Sequence, residues 1–149
     1  MAWIYSMWVE TETEELGKAI KDYFNNRIIK CNEKKYKISA YEGGMVTVDG
    51  ISRIGITSKS DADEMTLIGF EFYKVLKEAP EYRYALTGVE VDGWREMSEL
   101  EENPNDILLI SGFVIRKDIY EKLGSPGELS EFNSRYLWAP YEGEKWIKN

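Results

Sequence analysis

Hydrophobic positions alternate at the start of the chain, with Trp3, Tyr5, Met7 and Val9 on one phase and Ile4 and Trp8 on the other. Apolar residues on both phases suit a strand covered on both faces, so residues 2–9 are expected to form a central strand. The period then lengthens. Thr11 and Glu14 stand at capping-box spacing, and Leu16, Ile20, Tyr23 and Phe24 recur at helical intervals, predicting a helix over residues 12–25 that stops at Asn25-Asn26. From residue 27 to 57 the period returns to two, broken at Asn32-Glu33, Gly43-Gly44 and Asp49-Gly50, which predicts a meander of three or four strands. Asp49-Gly50 carries the strongest hairpin signal, between Met45–Val48 and residues 51–56, because a type I′ turn needs positive φ at both central residues.

Helical spacing reappears after Ser60-Asp61-Ala62-Asp63. Met65, Ile68, Phe72, Val75 and Leu76 share one face and Pro80 lies just beyond, predicting a helix over residues 61–78; a strand over 66–75 is the competitor, disfavoured by the acidic first turn and the length. Residues 82–91 read as a strand closed by Asp92-Gly93, and residues 107–115 as a buried strand. A short helix over 116–123 ends at Gly124, and a last strand falls near 134–139. The expected fold is α+β: one domain over 1–149, a mostly antiparallel sheet of about five to seven strands, and two main helices and one short helix packed on one face.

Composition narrows the chemistry. The chain has no histidine, which removes Ser-His-Asp and Cys-His catalysis, histidine-ligated zinc and histidine-ligated haem. A single cysteine, Cys31, cannot form an internal disulfide or a four-cysteine metal site; without a histidine to activate it, it reads as structural. One unpartnered cysteine and an N-terminus without a basic, uniformly apolar leader fit a cytoplasmic protein. The longest apolar run, residues 107–115, is interrupted by Ser111 and Gly112 and falls far short of the ~20 residues a spanning helix needs, so no membrane segment is expected.

Motifs add little. Gly-x-Gly-x-x-Gly, the Gly-x4-Gly-Lys-Ser/Thr loop and the Gly-x-Ser-x-Gly elbow are all missing. Asp61-x-Asp63 opens like a calcium loop, but Thr66 and Phe72 occupy the glycine and glutamate positions, so both aspartates read as helix-start residues. Glu33-x-Lys35 ends like a nuclease motif and sits in a turn, as a solvated hairpin tip. No catalytic residue, metal or cofactor is expected.

Charge is more informative. Residues 90–106 hold seven acids (Glu90, Asp92, Glu96, Glu99, Glu101, Glu102 and Asp106) against Arg95 alone, whereas residues 27–37 hold five bases and one acid. The acidic segment also carries Trp94. An exposed aromatic ringed by acids suits a basic protein partner, and the first functional expectation is an immunity-type or inhibitor protein that neutralises such a partner, a toxin for example. A net charge of -8 argues against nucleic acid. The second expectation is a small-molecule-binding domain or carboxylate-dependent enzyme with a pocket at Tyr136, Trp138, Tyr141 and Trp146; the third is a structural, self-associating protein forming a homo-oligomer.

Overall fold

The structure, a computed structural model, describes residues 5–51, 56–89, 91, 96–105 and 110–145. The elements in chain order are β1 (Tyr5–Glu10), α1 (Glu14–Phe24), β2 (Ile28–Cys31), β3 (Lys34–Ala40), β4 (Met45–Val48) and α2 (Lys59–Leu76). They continue with β5 (Tyr84–Val89), α3 (Met97–Glu102), β6 (Val114–Arg116), α4 (Lys117–Lys122), β7 (Ser130–Glu131) and β8 (Tyr136–Trp138). Among the described residues the strands form one antiparallel sheet of eight in the order β2-β3-β4-β1-β5-β6-β8-β7, slightly more than expected. β1 is central, paired with β4 and along its whole length with β5.

Both long helices begin where a hydroxyl satisfies a free backbone N–H. Leu16 N donates to Thr13 Oγ1 at 3.1 Å, and Asp61 N to Ser58 Oγ at 3.1 Å. The α1 cap therefore lies two residues later than the Thr11 spacing predicts. Asp61 is a helix-start residue, as expected: its carboxylate accepts from Thr57 N and Oγ1, which holds its pKa below the ordinary aspartate value. Asn26 ends α1 at φ 65, a conformation asparagine tolerates.

Two further expectations change. β4 pairs with β3 and β1, so the chain after Asp49-Gly50 is not its hairpin partner; most of that segment, 52–55, lies outside the described residues. The tight hairpin is at Asn32-Glu33, where Asn32 takes φ 57 between β2 and β3. The helices also do not share one face. Along β6, Val114 joins the core under α1 and α2, while Ile115, with Phe113 just before the strand, joins a second core with Leu100 of α3 and Ile119 and Tyr120 of α4. The alternation of strand side chains thus feeds two layers.

Close packing at two glycines fits β1 and the segment around Tyr141 onto this frame. Gly44, at φ 104, lets Val9 N donate to its carbonyl at 2.9 Å; a Cβ there would lie 2.3 Å from Val9 O. Gly69 of α2 leaves room for the Tyr141 ring, which a Cβ would meet at 2.6 Å. Among the described residues no helix is long and apolar enough to cross a membrane.

Candidate functional site

α3 organises the described part of the acidic segment. Its first turn is a capping box in which Glu96 N donates to Glu99 Oε1 at 3.2 Å while the Glu96 side chain accepts from the Glu99 backbone. Leu100 is fully buried and Met97 packs beside it on the second core. Those two anchors turn the rest of the helix outward: Glu96, Glu101 and Glu102 are exposed, with Lys122 3.7 Å from Glu101 as a weak neutralising contact. Val91 is also buried in this core. Glu90, Asp92, Trp94 and Asp106 lie outside the described residues.

A second charged region, which the sequence did not reveal, forms where β1, β5, β6 and β8 reach the same end of the sheet. Arg83 holds Glu10 through two bonds, Nε to Oε2 at 2.9 Å and Nη2 to Oε1 at 2.5 Å. Arg116 contacts Glu12 at 2.5 Å, Asp118 at 2.6 Å and Glu81 at 3.7 Å, and Arg135 also pairs with Glu81. The guanidinium holds the Asp118 carboxyl below its usual pKa. Two clefts open here. One of about 410 Å³ contains Arg116, Lys117 and Arg135; the other, about 640 Å³, has Trp8 in its wall with Glu10, Glu14, Lys18 and Glu42. The cations of the smaller cleft are matched by carboxylates on the spot, so the region is a polar brace between strand ends. No local signal links Glu12 to Arg116 across 104 positions; only the strand order does.

The C-terminal aromatics form a packed clasp. Tyr136 is buried, stacks on Tyr82 at 4.2 Å and donates to Tyr82 O at 2.8 Å. Half-buried Trp138 lies against Tyr73 and Phe132. Buried Tyr141 sits 5.0 Å from Tyr73 and donates to Glu144 Oε2 at 2.5 Å, and Glu144 N donates to Thr66 Oγ1 at 2.8 Å. Burial pushes the Glu144 carboxyl above its ordinary pKa, since desolvation disfavours the charged form. None of these rings lines either cleft; Trp146 lies outside the described residues.

Cys31 is buried and its thiol is pushed up in pKa by burial and by Glu71 and Glu64, the opposite of what a nucleophile needs. Among the described residues no three acidic or cysteine side chains converge as a metal site. Comparison with protein-family models, with curated proteins and with solved structures returns no match.

Proposed function

We propose that this protein binds a basic protein partner through the outer face of α3, as an inhibitor or immunity-type protein blocking a basic active site. The observation that carries the reading is the mounting of Glu96, Glu101 and Glu102 on a helix pinned by Met97 and Leu100. Carboxylates held in place lose little freedom on docking, and like-signed exposed charges steer an oppositely charged partner. The reading assigns no catalytic step, because neither the α3 surface nor the arginine brace presents an activated nucleophile.

The test is a low-salt pull-down with the intact chain and with the triple variant Glu96→Lys, Glu101→Lys, Glu102→Lys, followed by stopped-flow association of the protein recovered. The expected result is one basic protein retained by the parent and lost by the variant, with an association rate that falls as salt rises. Identical retention by both chains removes α3 from the interface and with it the reading.

A further inference from the structure

β2 is an outer strand, and its open edge is built differently from the rest of the sheet. Ile38 N donates to Arg27 O at 2.8 Å and Ile38 O accepts from Asn26 N at 2.9 Å, so Ile38 turns both backbone groups toward the β2 side. The β2–β3 register continues that phase through Ile29/Tyr36 and Cys31/Lys34. Ile28 and Lys30 therefore turn their backbone N–H and C=O groups away from β3. Among the described residues no strand and no hydrogen bond meets them.

The side chains around this edge are also unspent. Ile28 is 56% exposed on one face; across the edge, α2 presents Leu67 at 42% exposure, beside Glu64 and Glu71, whose charges reach Cys31 of β2. Lys30 stands directly opposite Lys35, in a non-hydrogen-bonded pair where side chains come closest, and Lys37 stands opposite Ile28 on the same face. All three lysines are exposed, and among the described residues none is salt-bridged, although Asp49 stands opposite Lys37 and accepts from Ser39 Oγ at 2.6 Å; Lys34, on the other face, pairs with Glu64 at 3.2 Å. Edge lysines guard a strand against unwanted pairing, which accounts for Lys30. Lys35 and Lys37 lie on the inner strand, where that explanation does not reach.

We infer that β2 accepts an extended acidic segment of a partner polypeptide as an additional strand, its carboxylates facing Lys30, Lys35 and Lys37 and its apolar side chains, on the opposite face, meeting Leu67 of α2. Free strand-edge groups are satisfied by another polypeptide backbone, and alternate side chains then read the flanking surface. Nucleic acid fits less well, because the net charge of -8 opposes a polyanion. A second copy fits less well too, because its own β2 would bring lysine to lysine and β7 spans only Ser130–Glu131. The inference uses no residue of α3 and stands or falls apart from the reading given to that helix.

The probe is a fluorescent peptide of alternating glutamate and valine, about six residues long to match a typical strand. Its binding to the full chain is followed by anisotropy while amide hydrogen exchange is read at Ile28 and Lys30. Saturable binding with new protection at both amides is expected. Ile28→Pro removes an outward N–H but no β2–β3 hydrogen bond and should abolish binding. The triple variant Lys30→Glu, Lys35→Glu, Lys37→Glu should weaken it about tenfold or more. Absence of saturable binding, unprotected amides in the bound state, or tighter binding of a thymidine oligonucleotide than of the peptide would overturn the inference. The exchange measurement on the unaltered chain decides the matter whatever the stability of either variant.

Discussion

The two faces of the sheet are covered unequally. On one, a single core runs from Ile29 and Cys31 of β2 to Tyr136 of β8 under α1 and α2, with Tyr5, Met7, Ile38, Ile68 and Phe72 essentially inaccessible to solvent. On the other, the core beneath α3 and α4 spans β5, β6 and β8 with Trp8 at its margin, while β2 and β3 expose Ile28, Lys30, Lys35 and Lys37. The difference separates two jobs. The continuous layer holds the fold together, and the partial layer decides where charge is displayed: acids on top of it, lysines where it is missing.

Truncation on each face tests that separation most strongly. Phe72→Ala empties a fully buried site beside Tyr5, whose ring centroid is 6.4 Å away, and is expected to lower global stability by about 3–5 kcal/mol. Leu100→Ala should cost about 2–3 kcal/mol, at the low end for a buried leucine because the six-residue α3 can move into the space. Urea unfolding gives the two values and hydrogen exchange gives their reach: loss confined to α3 in the second variant but spread over β1 and β5 in the first. Equal values with equal spread would mean that the two layers unfold as one unit.

A smaller effect is expected where the tail closes on the continuous layer. Because burial raises the folded-state pKa of Glu144 above its unfolded value of about 4.3, the native state binds more protons in the interval between them. The stability Glu144 contributes is therefore full below about pH 4 and is lost as pH rises through the folded pKa. Glu144→Gln keeps an acceptor for the Tyr141 hydroxyl but cannot ionise, so the variant should lack this decline and the stability difference between variant and parent should change across the interval. A difference that stays flat across that interval would show that the carboxyl is as well solvated folded as unfolded.

The two layers were not equally legible in the sequence. α1, α2, β1 and β5 follow from periodicity because each buries a wide apolar set. α3 buries only Leu100 fully among six residues and is half acidic, so its pattern reads as loop; β7, two exposed residues, has no pattern at all. Asp49-Gly50 marks a reversal correctly, with Gly50 at φ 83, yet a turn does not say which strand receives the chain, and β4 was already filled by β3 and β1. β6 falls at Val114–Arg116, later than the apolar run suggested, with 106–109 outside the described residues. The acidic segment was visible as composition. The Arg116 brace and the unpaired lysine face were not, since each depends on strand order and register.

The smallest expected effect is the sharpest for the exposed end of the sheet. Lys30 and Lys35 face each other across a non-hydrogen-bonded pair, where like charges destabilise and opposite charges stabilise. Lys35→Glu should therefore stabilise the isolated protein by about 0.5 kcal/mol, seen as a raised urea midpoint with an unchanged slope, and salt should erase much of the gain. At the same position the variant should weaken capture of an acidic strand, so stability and binding move in opposite directions. Surface positions rarely gain stability by losing function unless the native residue is held there for a partner. If the variant is instead less stable, the lysine stems are packing on the strand surface, and Lys35 contributes through its hydrocarbon chain.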